Sequence, residues 1–278
     1  MVPIGIVTRE RPLYLDVTLR SLSATELPSD VSLTIFDDCS TAAVTSRYYE
    51  TNAVVEVVPD WPTTCPHWKR HGLSVVSNGW SNPKGIAGLV DVVQLGPKPS
   101  GVFNASCRAV HLLFEQHPEA PGVFLLQDDV IFNPNWYARM LDTVVRVGEY
   151  SQHPLGLLAG SKLNHRLAFP GRPPLAVMSG ITAQCLYISR DAYQRCNSFF
   201  TAIHDKDRRF DDMLRRLVIS KQLWGGCIYP FVCQHIGITS IVRPGKTWKF
   251  ATSGRIGYYA YPPFSLSSTV RKFKRSEQ

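Results

Sequence analysis

The chain has 278 residues, 44% hydrophobic and 19% charged, an ordinary globular composition that excludes intrinsic disorder and collagen-like architecture. Thirty Lys and Arg against 22 Asp and Glu leave a formal charge of +8, which admits nucleotides, nucleic acids or acidic surfaces as partners without requiring them. No run approaches the roughly 18 apolar residues of a membrane span. The first strand-like segment begins right after Met1 and the seven cysteines are scattered, so a cytoplasmic protein with reduced thiols is expected.

Pro3 to Thr8 is a short apolar, β-branched run that reads as a strand. The polar connection Arg9, Glu10, Arg11 ends at Pro12, which suits the opening of a helix with Leu15, Leu19 and Leu22 on one face. Val31 to Phe36 reads as a second buried strand and delivers Asp37, Asp38, Cys39 and Ser40 to its end. With Ala53 to Val58 as a third β-rich piece, the alternation points to an α/β fold with an open, mostly parallel sheet. Ligands of such sheets sit at the carboxyl ends of the strands.

Residues 60–101 are irregular, rich in Trp, Pro and Gly, with only Leu89 to Leu95 strand-like. Asn104 to Gln116 reads as a helix capped by Asn104 or Ser106, and Val123 to Leu126 as a strand that presents Gln127, Asp128, Asp129 and Val130. Trp136 to Val147 is helical by period. Leu155 to Ala159 and Gly180 to Ile188 read as strands, and the basic, proline-rich Asn164 to Pro174 as a loop. Phe210 to Leu223 is an amphipathic helix, and Cys227 to Cys233 a last strand leading into Gln234, His235, Ile236 and Gly237. The remainder is aromatic and basic, with four cations between Arg271 and Arg275.

Three pairs of adjacent carboxylates stand out. Like charges side by side repel, so each pair suggests a cation, a donor-rich ligand or a shared proton. Asp128 and Asp129 emerge from a buried strand at the ligand crevice, where one or two aspartates suffice to hold Mg²⁺ or Mn²⁺ against phosphate oxygens; the alternative is an Asp-rich turn that caps the next helix. Asp37 and Asp38 suit a ribose or base, or else an Asx-turn. Asp211 and Asp212 open a helix, where they stabilise its dipole or, facing a pocket, supply a general base. His235, at a strand end, is a candidate metal or phosphate ligand or a structural imidazole. Cys65, His67 and His71 form an incomplete zinc pattern.

Taken in order, IGIVTRERP, LTIFDDCS, FLLQDDVIFNPNW, FDDMLRRL and YPFVCQHIGITS resemble the GT-A class of nucleotide-sugar glycosyltransferases. FDDCS is similar to the V-D-D-G-S strand end of glycosyltransferase family two, with cysteine for the usual glycine. QDDV resembles the E-D-D variant of the D-x-D motif in N-acetylglucosaminyltransferases. GVFNASCRA resembles the segment whose asparagine borders the donor sugar, FDDML the motif that carries the catalytic base, and QHIGITS the Q-H-x-G-x-x-S ending of branching enzymes.

The resemblance implies one GT-A domain over 1–262, with a nucleotide-sugar half (1–130) and an acceptor half (131–262), followed by a basic tail (263–278). It implies a nucleotide-sugar donor, UDP-linked, bound by Thr8, Arg9, Asp37, Asp38, Asn104 and Asp128, with Mn²⁺ or Mg²⁺ on Asp129 and His235. Asp211 or Asp212 would be the catalytic base of an inverting transfer. For the acceptor, the cations Arg208, Arg209, Arg215, Arg216, Arg243, Lys246, Lys249 and Arg255, interleaved with Trp248, Phe250, Tyr258, Tyr259 and Tyr261, suit a nucleic acid, such as a hydroxylated base in viral DNA. A polysaccharide or protein acceptor, or a non-catalytic nucleic-acid-binding protein, is the alternative.

Overall fold

The computed structural model describes residues 1–41, 54–57, 92–95, 99–150, 157–159, 167–169, 175–177, 183–202, 209–220, 222–228 and 232–236. In chain order these form β1 (Ile4–Thr8), α1 (Pro12–Ser23), β2 (Leu33–Asp37), β3 (Val54–Val57), β4 (Val92–Leu95), α2 (Val102–Gln116), β5 (Gly122–Gln127), β6 (Val130–Phe132) and α3 (Trp136–Tyr150). There follow β7 (Leu157–Ala159), β8 (Leu167–Phe169), β9 (Leu175–Val177), β10 (Cys185–Ser189), α4 (Arg190–Arg195), α5 (Asn197–Thr201), α6 (Phe210–Ile219), β11 (Gly225–Ile228) and β12 (Cys233–His235).

Ten of the described strands share one sheet in the order β3-β4-β2-β1-β5-β10-β7-β11-β9-β8, and only β10 and β9 run against the others. The expected mostly parallel α/β architecture is therefore present. Strands β1, β2 and β5 are buried along their lengths, as their unbroken apolar runs require when both faces are covered. Alternation along β1 sends Ile4 and Ile6 toward Leu15, Leu19 and Leu22 of α1 and Trp136 and Met140 of α3. Val7, with Phe36 of β2 and Leu125 of β5, faces Phe103, Val110 and Leu113 of α2 and Phe210 and Leu214 of α6. Pro12 occupies the first helical turn of α1, where its missing N–H removes no bond.

Several boundaries differ from expectation. Helix α2 begins at Val102 with Gly101 at its N-cap and no side-chain cap; Asn104 and Ser106 lie inside it, donating to Ser100 O and Val102 O. The apolar run after Gly225 does not form one strand: β11 joins the large sheet, whereas β12 pairs with β6 in a separate two-stranded sheet. Helix α6 ends at Ile219, where Ser220 N bonds back to Arg216 O, and the segment expected as loop contains β8. Strand β10 begins at Cys185 rather than near Gly180. Among the described residues no helix is long and apolar enough to cross a membrane. Cys65, His67 and His71, the basic and aromatic positions from Arg243 to Tyr261, and the tail lie outside the described residues.

Gly122 opens β5 opposite Ser189, and a Cβ there would lie 2.4–2.5 Å from the ring and hydroxyl of Tyr187, itself 2% exposed. Gly122→Ala is expected to lower unfolding free energy by about 1–3 kcal/mol, the usual range for overpacking. Urea denaturation measures it, and adding Tyr187→Leu should recover part of the loss; an unperturbed single variant would contradict this packing.

Candidate active site

Parallel pairing puts Thr8 beside Asp37 and Val7 beside Gln127, so the carboxyl ends of β1, β2 and β5 form one edge at which the chain changes direction across the sheet. Asp128 and Asp129 are the two residues of the turn from β5 to β6. Thr18 of α1 pins that turn: its Oγ1 donates to Asp128 O at 2.7 Å and accepts from Val130 N at 3.0 Å. On the other side Ile236 N donates to Asp129 O at 2.8 Å, and the antiparallel register of β12 on β6 sets His235 opposite Val130. The imidazole is thereby brought to Asp129, with Nε2 2.9 Å from Oδ2, although the two residues are 106 apart in the chain.

A third group completes the cluster. Arg11, the residue before Pro12, places Nη1 2.9 Å from Asp128 Oδ1 and Nη2 2.7 Å from Asp129 Oδ2. Its guanidinium rests 4.2 Å above the Tyr14 ring. Asp128 also accepts from Thr8 Oγ1 at 2.7 Å and from the Arg9 backbone N–H, so both its oxygens are engaged. Asp129 differs: its Oδ1 is buried without a hydrogen-bond partner among the described residues. Both acids are 3% exposed, whereas the side chains of Arg11 and His235 keep 15% and 32% of their surface. Sequence reasoning brought Asp129 and His235 together but passed over Arg11 and Thr18. The available signal was electrostatic, since two adjacent buried acids need a cation and Arg11 is delivered by the neighbouring strand.

Burial pushes the Asp128 carboxyl upward and the adjacent Asp129 adds to this, against the pull of Arg11, Thr8 and the Arg9 amide. Burial acts in the same sense on Asp129, but His235 and Arg11 outweigh it and hold that carboxyl well below the usual range. The two carboxylates likewise outweigh burial at Arg11 and raise its guanidinium further.

The second acidic pair is tied into the backbone. Asp37 Oδ1 accepts from Ser40 N at 2.6 Å, while Asp38 accepts from Ser100 N at 2.9 Å, Ser100 Oγ at 2.5 Å and Gly101 N at 2.8 Å. Arg108, 2% exposed, lies with Nη2 4.0 Å from Asp38 Oδ1. Asn104 Nδ2 donates to Ser100 O at 2.9 Å. Cys39 stands at φ 62°, so the cysteine in place of a motif glycine still takes the left-handed backbone that glycine favours. Arg9 is partly buried beside the same edge.

Asp211 and Asp212 open α6, which reaches the first turn of α2 through the Phe103 and Phe210 rings, 5.7 Å apart. Asp211 is half-buried and Asp212 exposed, and Asp212 N donates to Asp211 Oδ1 at 3.1 Å. Burial, and then the Asp212 charge, raise the Asp211 carboxyl. Among the described residues no hydrogen bond or ion pair links either acid to Arg11, Asp128, Asp129 or His235.

The donors at Asp129 and His235 suit a hard or borderline divalent cation. Their 2.9 Å separation matches the roughly 3 Å between adjacent ligands of an octahedral ion with bonds near 2.1 Å, and Asp129 Oδ1 has acceptor capacity unspent. Among the described residues no cluster of three or more His, Cys, Asp and Glu forms a closed metal cage. The pair thus offers two protein ligands, one carboxylate and one imidazole, to such an ion.

No protein-family model matches the chain, and no curated protein is similar to it in sequence. Among solved structures it is similar to TarS of S. aureus, at 14% identity and a TM-score of 0.46 over 82% of this chain and 58% of that one. The same protein in complex with UDP-GlcNAc is similar at 12% identity and a TM-score of 0.46, with 82% and 56% of the chains covered. A mannosyltransferase from Pyrobaculum calidifontis, in complex with GDP-Man and Mn²⁺, is similar at 11% identity and a TM-score of 0.47, with 81% and 53% covered. The chain thus spans between half and three-fifths of the length of these proteins.

Two outcomes follow from this geometry. Thr18→Val strands a buried carbonyl and a buried N–H of the turn, and should lower unfolding free energy by about 2–4 kcal/mol in chemical denaturation. For pH, a carboxyl depressed below its unfolded value near 3.9 stabilises the fold above that value and loses the contribution as pH falls toward the folded value. The stability advantage of the unaltered protein over Asp129→Asn should therefore shrink as denaturation curves are taken from pH 6 down to pH 3.

Proposed function

We propose that the chain is a divalent-metal-dependent, inverting glycosyltransferase that moves a sugar from a nucleotide-sugar, UDP-linked, to an acceptor hydroxyl. One observation carries the reading: Asp129, with a buried and unpartnered carboxylate oxygen, meets His235 at the carboxyl edge shared by β1, β2 and β5. In this reading Asp129 and His235 hold Mn²⁺ or Mg²⁺, which when bound neutralises the diphosphate leaving group. Asp128, fixed by Thr8, Arg9 and Arg11, shapes the donor side of the turn. Asp37, Asp38 and Asn104 hold residues 38–41 and the 99–101 entry to α2, which border the nucleoside half. The donor half is assigned to 1–130 and the acceptor half to 131–262.

Of the two helix-opening acids we assign the base to Asp211. It is the more buried of the two, and burial raises its carboxyl in the direction that suits taking a proton near neutral pH. The acceptor oxygen bonds to the anomeric carbon as the bond to the diphosphate breaks, its proton passes to Asp211, and the diphosphate leaves with the bonding pair. Attack from the face opposite the leaving group inverts the centre.

The acceptor is assigned as a hydroxyl on nucleic acid, supported by the +8 charge and by the exposed Arg215 and Arg216 that follow Asp211 on α6. Transfer assays with Mn²⁺ and radiolabelled UDP-sugars, offered hydroxylated DNA, polysaccharide and protein in parallel, test this. Asp211→Asn is expected to slow transfer by about 10²–10⁴-fold and Asp212→Asn by only a few-fold. Asp129→Asn should abolish Mn²⁺-dependent turnover. Undiminished turnover in Asp129→Asn overturns the assignment of the site, and transfer to polysaccharide alone overturns the acceptor.

A further inference from the structure

The metal-dependent reading, on which this inference rests, leaves Arg11 unexplained. The guanidinium lies on the very carboxylate that a cation would use, 2.7 Å from Asp129 Oδ2, while its other terminal nitrogen holds Asp128 Oδ1 at 2.9 Å. A guanidinium does not give up its charge, so protonation chemistry cannot clear the way. A dication shared by Asp129 and His235 would face a fixed positive charge across one carboxyl group that is itself 3% exposed, where water screens the repulsion less than at an open surface. The two cations therefore compete for Asp129.

The construction of Arg11 lets it leave. Its backbone is anchored at the N-cap of α1, where Leu15 N bonds to Arg11 O at 3.0 Å, but its side chain makes no capping bond and retains 15% of its surface. Asp128 remains paired with Thr8 and the Arg9 amide if the guanidinium turns away. A planar fork that spans two carboxylate oxygens spans two phosphate oxygens equally well. We propose that Arg11 is a positioning residue with two alternative partners. It neutralises the Asp128 and Asp129 pair before the ion binds, and it transfers to the diphosphate of the donor when ion and nucleotide bind together. Ion and nucleotide are then coupled through this side chain, each easing the entry of the other.

The test is metal and nucleotide binding, not turnover. Free Mn²⁺ is followed by electron paramagnetic resonance, and UDP and GDP are titrated calorimetrically at saturating Mn²⁺, for the unaltered protein, Arg11→Gln and Arg11→Lys. Arg11→Gln is expected to bind Mn²⁺ alone at least tenfold more tightly and the nucleotide at least tenfold more weakly, a pair of opposite shifts that a general loosening of the fold would not produce. Arg11→Lys, which keeps the charge without the fork, should stay within threefold of the unaltered protein for Mn²⁺. A measurement on the unaltered protein guards against poor folding of the variants: the Arg11 side-chain ¹⁵N resonances should shift on adding Mg²⁺. Unchanged or weaker Mn²⁺ binding in Arg11→Gln, or unmoved resonances, overturns the inference while leaving the metal site standing. If the unaltered protein binds no Mn²⁺ with or without nucleotide, the metal-dependent reading fails and this inference falls with it.

Discussion

Two adjacent carboxylates, each 3% exposed, sit at the end of the central strand pair, and most of the structure around them exists to make that placement tolerable. Two unit charges about 4 Å apart interact by about 4 kcal/mol at an effective dielectric constant of 20, a term comparable to a large part of a domain's net stability. Here the repulsion is offset by a guanidinium paired with both acids, a threonine hydroxyl, a backbone amide and an imidazole. Three of the four come from the end of β1 and its connection to α1, and the imidazole comes from β12. Arg11 is set by the proline that starts α1, Thr8 by the last residue of β1, and His235 by the register of β12 on β6.

The small two-stranded sheet is what turns a parallel sheet edge into a site. An open α/β sheet offers its strand ends, but nothing in that architecture fixes what stands opposite them. Pairing β12 with β6 folds the far end of the described chain back over the turn, and the bond from Ile236 N to the Asp129 backbone carbonyl locks the fold-back at the second acid of the pair. Thr18 serves the same turn from the opposite side, so the backbone of both acids is held even where their side chains are left mobile in role.

The legible parts of the sequence were those with long periodic signals. The apolar runs of β1, β2 and β5 and the helices α1, α2 and α6 stand out because a fully buried strand or a two-faced helix leaves a pattern several residues long. Three-residue strands leave little: β7 was legible within Leu155 to Ala159, but β6, β8 and β12 were not separable from their surroundings, and 227–233 read as one strand. Arg11 was hidden for a different reason: as one of three charged residues before a proline it looks like any solvated loop, and only the tertiary return of Asp128 and Asp129 gives it a partner. Cys39 takes a φ of 62°, a left-handed backbone that a cysteine reaches at a strain of roughly 1–2 kcal/mol and that its side chain does not announce in the sequence.

The two acids of the turn have different surroundings, and their order in the chain decides which has which. Successive residues at a strand end project differently. Asp128 turns back toward β1, where Thr8 and Arg9 occupy it; Asp129 turns toward β12, where an imidazole touches one oxygen and the other remains bare. Asp128, with both oxygens engaged, serves to hold the turn against β1. A buried carboxylate with one oxygen unsatisfied carries a standing desolvation penalty, and that sets the second acid of the pair apart from the first.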